Sequence, residues 1–188
     1  MNETQFKPDY FSPPGETLLE AITERGISQA ELAERAGRPK KTINEIINGK
    51  AELTPETALQ LERVLGIPAH FWNNRERRYR EALARSEESR RLEQQVDYLQ
   101  QIPYKAMVKA DWLPGAEEPV DQLRNVLSFF GVASISALEA WASQKCLNFR
   151  QSTAYTVQAY SVLAWIRKGE IEAQRVNCAP CRKRYPDQ

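Results

Sequence analysis

The 188-residue sequence has little of the material from which catalytic and metal sites are built: one histidine, His70, and three cysteines. One histidine cannot supply the His-Glu-x-x-His helix of zinc peptidases, and it cannot sustain a Ser/His/Asp set around a plausible pocket. An odd number of cysteines does not suggest a disulfide framework. The eight glycines form no glycine-rich phosphate loop. We therefore expect no catalytic residues, no cofactor and no metal.

Long apolar runs and a strong net charge are also missing. No stretch approaches the length of a transmembrane helix, and residues 1–5 are polar, unlike a signal peptide. The sequence is 41% hydrophobic and 27% charged, which supports a packed core beneath a soluble surface, so we expect a cytoplasmic protein. A net charge of +1 argues against a protein that coats nucleic acid without selectivity, since such proteins are usually basic overall.

Residues 27–50 carry the most informative pattern, that of two short helices joined by a tight turn. Ser28 with Glu31 three residues later is a capping box that opens the first helix. Gly37 ends this helix because it accepts a left-handed backbone, and Pro39 suits the start of the next. The second helix has an apolar side formed by Ile43, Ile46 and Ile47. This pattern predicts a helix-turn-helix.

The outer side of the second helix is basic and polar, with four bases and one acid between residues 38 and 50. In a helix-turn-helix, the second helix enters the major groove of DNA and the first crosses the backbone. Lysine can contact phosphate or guanine, asparagine can pair with adenine, and threonine can touch a thymine methyl group. We predict that Gln29 and Lys50 contact phosphates. We predict that four residues face the groove, namely Lys40, Lys41, Thr42 and Asn44. From spacing alone, a helical hairpin with a solvated charged face stays open.

Several stretches carry a resemblance to a known family. The run Ser28-Gln29-x-Glu31-Leu32-Ala33, with Ile43 and Asn48-Gly49-Lys50, resembles the repressor-like XRE helix-turn-helix family. With residues 12–18, 53–62 and 65–72 added, residues 9–80 resemble the HigA-type antitoxins of type II toxin–antitoxin modules. The resemblance implies a repressor that binds palindromic operator DNA as a homodimer, autoregulates its operon and neutralises a small ribonuclease toxin of the HigB/RelE type. The same DNA-binding module occurs in stand-alone regulators, so a regulator or interaction adaptor without a toxin stays open.

Three further helices complete the N-terminal domain in our prediction, and the first of them runs from about Glu16 to Arg25, ahead of the motif. Thr54 caps the fourth helix with Pro55 in its first position, and Gly66 ends it. Phe71 and Trp72, at the start of the fifth helix, are predicted to cap the core, although such a pair can also face a partner subunit. His70 is interpreted as a helix-cap or surface residue.

The rest of the chain predicts a charged connector and a second helical unit. Residues 73–101 are rich in arginine and glutamate, and a break in the apolar seam at 86–89 leaves one helix or two equally open. Such a stretch is most often a solvated connector, with a dimerisation or toxin-contact arm as the alternative. Prolines 103, 114 and 119 indicate a boundary near 102–119. We further predict helix ends at Gly131 and Gly169, a new helix from Ile171, and a capping box at Ser136 and Glu139.

Parts of this second unit resemble the middle region of longer bacterial proteins, in which a similar helix-turn-helix precedes a zinc-peptidase-like domain of the ImmA/IrrE type. The metal-binding motif of that domain is absent here. Cys178-x-x-Cys181 has the spacing of half a zinc site or a redox pair, but the other candidate ligands are distant in sequence, and we interpret the pair as unremarkable thiols. The predicted architecture is all-α: a five-helix repressor-like helix-turn-helix domain (1–80), a charged helical connector (81–101) and a small helical C-terminal domain (102–188).

Overall fold

The computed structural model describes residues 12–147 and 159–175, and it confirms the all-α class. The helices are α1 (Pro14–Glu24), α2 (Gln29–Ala36), α3 (Lys40–Ile47), α4 (Pro55–Leu65), α5 (Ala69–Glu93), a 3₁₀ helix (Val96–Gln101), α6 (Tyr104–Lys109), α7 (Pro119–Phe130), α8 (Ile135–Leu147) and α9 (Ala159–Arg175). The chain divides into two compact units, Met1–Glu88 and Ser89–Gln188.

Local signals place the helix ends of the first unit as the sequence predicts. The Ser28 hydroxyl accepts a hydrogen bond from the Glu31 N–H at 3.1 Å, and Thr54 caps α4 in the same way through the Thr57 N–H at 3.2 Å. Gly37 ends α2 with φ of 63°, a conformation that costs glycine little. In a full capping box the Glu31 carboxylate would also accept a hydrogen bond from the Ser28 N–H. The structure differs from the prediction here, because this carboxylate pairs instead with Arg35, one turn later.

The core of the first unit lies between α1, α2, α3, α4 and the start of α5. Leu18, Leu32, Ile43 and Leu61 are fully buried in it. Trp72 is also fully buried, whereas Phe71 remains 38% exposed. The prediction that both rings cap the core is therefore right for Trp72 and wrong for Phe71. Neighbouring positions on a helix point about 100° apart, and here only one of them points inward.

Gly15 allows an unusually close approach of α1 to α3. A Cβ atom at Gly15 would lie 2.5 Å from both the Cα and the carbonyl oxygen of Ile47, and closer still to the carbonyl oxygen of Ile46. These are backbone atoms, which cannot rotate away as a side chain can. The first turn of α1 therefore packs directly against the backbone of the last turn of α3.

The second unit begins inside α5 and differs from the predicted boundaries at 80/81 and 101/102. Leu92, in the last turn of α5, is buried with Leu123, Leu127 and Ile135. The charged stretch is not one continuous helix, because α5 ends at Glu93 and the 3₁₀ helix follows. The same stretch thus belongs to both units, and its second part contributes to a core.

The proline-rich segment 102–119, predicted as a boundary, is built into the second unit. Ile102, Tyr104, Met107 and Leu113 are buried in its core. The Tyr104 hydroxyl accepts a hydrogen bond from the Ala116 N–H at 2.9 Å and donates to the Pro114 carbonyl at 3.1 Å. These bonds satisfy backbone groups that an irregular segment leaves without helical partners.

Two predicted helix signals in the second unit are wrong. Gly169 does not end α9, which continues to Arg175. The Lys168–Glu172 ion pair at 2.8 Å spans this glycine, and Ile171 packs against the core beyond it. The cap of α8 is Ser134 instead of Ser136, since the Ser134 hydroxyl accepts from the Ala137 N–H at 3.1 Å. Gly131 ends α7 as predicted.

No single helix within residues 12–147 and 159–175 is long and apolar enough to cross a membrane; α7 and residues Ile135–Lys145 of α8 meet that test only together, as a pair bent by 41°. Cys178 and Cys181 lie outside the described residues, as do residues 150–152, which contributed to the second resemblance.

Candidate nucleic-acid interface

The helix α3 is anchored by one face and leaves the other free. Ile43, Ile46 and Ile47 are buried against α1 and α2. On the opposite face, Lys40, Lys41 and Asn44 are exposed, while Thr42 is half-buried in the first turn. The apolar side holds the helix to the domain, and the polar side can therefore enter a groove without disturbing the core.

Side-chain amides form a short chain across the exposed side of α2 and α3. The Asn44 Nδ2 donates to Gln29 Oε1 at 3.4 Å, and the Asn48 Nδ2 donates to Asn44 Oδ1 at 3.2 Å. The same Asn48 Nδ2 also bonds the Asn44 carbonyl oxygen at 2.7 Å. The structure thus brings together Gln29 and Asn44, two of the predicted site residues that are 15 positions apart.

Asn48 also belongs to this group, although it was not among the predicted contact residues. Its spacing of four residues from Asn44 placed it on the same helical face, and this was the signal that could have found it. Asn44 retains one amide hydrogen and one lone pair after these contacts. It can still present the donor–acceptor pair with which asparagine recognises adenine.

The basic residues of the segment fall into two groups. Lys40 and Lys50 are exposed and pair with no acid among the residues that the structure describes. Lys41 is 85% exposed and lies 3.8 Å from Glu45, a surface pair that contributes about 1 kcal/mol at most. These three ammonium groups are available to phosphate or base oxygens. Arg38 differs, because its side chain turns away from α3 toward α4.

Lys50 lies three residues beyond α3 and is not part of the amide chain. Its backbone N–H bonds the Glu45 carbonyl at 2.8 Å, which holds the turn at the end of α3. Its side chain extends into solvent. Within the described part of the chain, no group of three or more histidine, cysteine, aspartate or glutamate residues is placed to hold a metal ion.

A helix held on one side, with lysine, threonine and asparagine facing outward, has the size and the donor set that the major groove accepts. In complexes of this kind, contacts to phosphates fix the register of the protein on the duplex, and contacts to base edges read the sequence. The geometry is that of a helix-turn-helix, with Gly37, Arg38 and Pro39 as the turn.

Comparison with known proteins gives the same result for this region. Residues 18–72 match the helix-turn-helix family. Over 61 residues the chain is 34% identical to YddM, an uncharacterized HTH-type transcriptional regulator of Escherichia coli K12; the matched part is 32% of this chain and 65% of that regulator's length, just under two thirds.

Two solved structures are similar to under half of this chain. An addiction module antidote protein of the HigA family from Coxiella burnetii is 28% identical, with a TM-score of 0.40 over 45% of this chain and 92% of that one. The Pseudomonas aeruginosa antitoxin HigA, solved with the higBA promoter, is 29% identical, with a TM-score of 0.42 over 45% and 94%. Residues 18–72 of this chain therefore form a helix-turn-helix domain.

Proposed function

We propose that this protein is a sequence-specific DNA-binding transcriptional repressor that acts as the antitoxin of a type II toxin–antitoxin module. The observation that carries the DNA-binding part is the arrangement of α3. Its isoleucine face is buried in the domain, and Lys40, Lys41 and Asn44 stand exposed on the other side. The matched regulator of Escherichia coli, named for transcription, supports the same role.

The contacts divide by chemistry. Lys40, Lys41, Thr42 and Asn44 face the major groove, with Asn44 as the reader of an adenine. Gln29, at the start of α2, and Lys50, beyond α3, bind phosphates on either side of the groove. Asn48 extends the amide chain toward the end of α3 and adds a further polar group at the groove floor.

The size of the reading helix supports a homodimer. The eight residues of α3 span about 12 Å at about 1.5 Å per residue, which covers roughly four base pairs. Four base pairs are too few to select one operator in a genome. Two copies related by a two-fold axis would read a palindrome whose half-sites lie about one helical turn apart.

The antitoxin role rests on the sequence resemblance of residues 12–18, 53–62 and 65–72 to the HigA type. It implies autoregulation of the operon and a small ribonuclease toxin of the HigB/RelE type as partner. An adjacent reading frame for a small basic protein is expected. Its product should copurify with this chain and lose ribonuclease activity in the complex. A gene with no such neighbour would point to a stand-alone regulator.

A second candidate function, an interaction adaptor, is favoured by one observation in the second unit. Trp165 on α9 is 70% exposed, and exposed tryptophans are over-represented at the centres of protein interfaces. In that case the helix-turn-helix would serve to tether the second unit. Weak binding of promoter and unrelated DNA alike would favour this role.

Fluorescence anisotropy tests the main proposal directly. The purified chain is titrated onto a duplex from its own promoter and onto a scrambled duplex of equal composition, across a series of salt concentrations. We expect tight binding to the promoter duplex alone, weakening with salt. Equal weak binding to both duplexes would contradict the proposal.

Two variants test the groove assignment in the same assay. Lys41→Ala and Asn44→Ala each remove an exposed side chain and leave the buried isoleucine face intact, so the fold should be retained. A lost base contact costs about 1–3 kcal/mol, which corresponds to roughly fivefold to 150-fold in promoter affinity. Glu34→Ala, an exposed change on α2, is the control. Unchanged promoter affinity in both variants would mean that another surface reads the DNA.

A further inference from the structure

We propose that Arg38 is a positioning residue: it ties the turn of the helix-turn-helix to α4, sets the start of α3 through this tie, and does not contact DNA. The inference rests on the proposed DNA binding for its functional consequence, while the tie itself is independent of it. Arg38 is one of the four bases between residues 38 and 50, so composition alone would count it toward the DNA-binding charge.

The Nε and Nη2 atoms of Arg38 both contact residues of α4. Its Nε donates a hydrogen bond to Gln60 Oε1 at 2.7 Å. Its Nη2 lies 2.8 Å from Glu56 Oε2 but off the hydrogen-bonding direction, so that contact is an ion pair. The Arg38 side chain is only 24% exposed. Glu56 and Gln60 are four residues apart, hence on one face of α4, and the guanidinium spans two successive turns.

The backbone of the same turn carries the ends of both neighbouring helices. The Arg38 N–H bonds the Ala33 carbonyl at 2.9 Å and closes α2. The Pro39 carbonyl accepts from the Thr42 N–H at 3.0 Å and from the Ile43 N–H at 3.3 Å, which opens α3. Arg38 and Pro39 are adjacent in the chain. Holding the Arg38 side chain against α4 therefore also holds the end of α2 and the start of α3 in place relative to α4.

The consequence falls on Lys40 and Lys41, which follow the turn directly. Contacts to bases require side chains to be held to within about 0.5 Å by the residues that support them. Without the tie to α4, the first turn of α3 gains freedom and these lysines lose their register. The Glu56 carboxylate, 2.8 Å from the guanidinium, also weakens the attraction of Arg38 for a phosphate.

A set of three variants separates positioning from direct contact. Gln60→Leu removes the acceptor without changing any charge, and Arg38→Gln removes the donor. Arg77→Gln is the matched control for charge loss, because Arg77 is 67% exposed and pairs with Glu81 along α5. Binding to promoter and scrambled duplexes is measured by anisotropy across a salt series, after circular dichroism has shown equal helix content. Glu56→Gln replaces any variant that fails to fold.

We expect Gln60→Leu and Arg38→Gln each to weaken promoter binding about tenfold and to reduce selectivity over the scrambled duplex. The slope of log affinity against log salt should stay at the wild-type value. A double variant that carries both Arg38→Gln and Gln60→Leu should bind no more weakly than Arg38→Gln alone. A direct phosphate contact gives a different result. Arg38→Gln would then reduce the slope by about 0.9 and weaken both duplexes equally, while Gln60→Leu would have no effect. That result would overturn the inference.

Hydrogen exchange tests the tie without DNA. In Gln60→Leu the Thr42 and Ile43 amides, which bond Pro39, should exchange several-fold faster than in wild type, and amides of α1 should be unchanged. Equal exchange in both proteins would overturn the inference whatever the DNA result. Wild-type protein with no preference for the promoter would overturn the proposed function alone, and the exchange rates would still decide the role of Arg38.

Discussion

Gly15→Ala is the substitution whose cost can be worked most directly from the structure. The added Cβ would lie 2.5 Å from the Cα and carbonyl oxygen of Ile47, where ordinary contact begins at 3.4 Å. The first turn of α1 and the last turn of α3 must therefore separate by more than about 0.9 Å, because the Ile46 carbonyl oxygen is closer still and all the obstructing atoms are backbone. Overpacking of this kind costs about 1–3 kcal/mol. The higher helix propensity of alanine offsets less than about 1 kcal/mol of it.

We expect a net loss of about 1–2 kcal/mol in the free energy of unfolding of the first unit. Urea unfolding, followed by hydrogen exchange of peptides from α1 and α3, reports this unit separately from the second. Because the displaced element is the end of α3, promoter affinity should fall as well.

Gly169→Ala provides the matched control. Gly169 lies inside α9, and no atom lies within 4 Å of the position that a Cβ would occupy. The same chemical change should therefore stabilise the second unit by about 0.5–1 kcal/mol through helix propensity. If Gly15→Ala unfolds at the wild-type urea concentration, or gains stability as Gly169→Ala does, the close packing of α1 on α3 is wrong.

Two further predictions concern charge. Lys50→Ala removes an exposed ammonium group with no partner among the described residues, so the salt slope of promoter binding should fall by about 0.9 while selectivity is kept; an unchanged slope would remove Lys50 from the phosphate contacts. In the second unit, the hydrogen bond from Lys145, with a further contribution from Arg167, lowers the pKa of Glu170 below its ordinary value of 4.5. A lowered pKa in the folded state means that the carboxylate stabilises this unit above about pH 4.5 and that this contribution is lost as the pH falls through the folded-state pKa. Glu170→Gln should flatten the acid side of the stability curve, and an identical curve for both proteins would contradict the assignment.

The helix ends of the first unit show what could be predicted from short stretches of sequence. Ser28, Gly37, Thr54 and Gly66 act through hydrogen bonds and backbone conformations that involve neighbours within four residues. Such local signals can be recognised from the sequence alone, and the structure confirms the four helix ends that they predict. The isoleucine face of α3 belongs to the same class, because a period of three to four residues identifies it.

The same kind of reasoning was wrong where distant parts of the chain compete with the local signal. Glycine is a common helix-ending residue, but α9 continues beyond Gly169 because the Lys168–Glu172 ion pair and the packing of Ile171 stabilise its next turn. Ser136 and Ser134 are both acceptable caps, and the structure uses Ser134. The proline-rich segment 102–119 is ordered by Tyr104, whose hydroxyl bonds backbone groups ten and twelve residues away.

By itself the sequence determined the all-α class, the two helices of the motif and the residue types on the outer side of α3, since each depends on spacing along one helix. The predicted DNA contacts at Gln29, Lys40, Lys41, Thr42, Asn44 and Lys50 remain predictions for binding experiments. The tertiary structure alone decided three things. It brought Asn44 into hydrogen-bonding contact with Gln29 and Asn48. It buried Trp72 and left Phe71 partly exposed. It directed the Arg38 side chain toward α4 and away from the other bases of the segment. The physical reason is common to all three: the partner of each side chain, or the direction of its burial, is set by helix packing, which spacing along one helix does not specify.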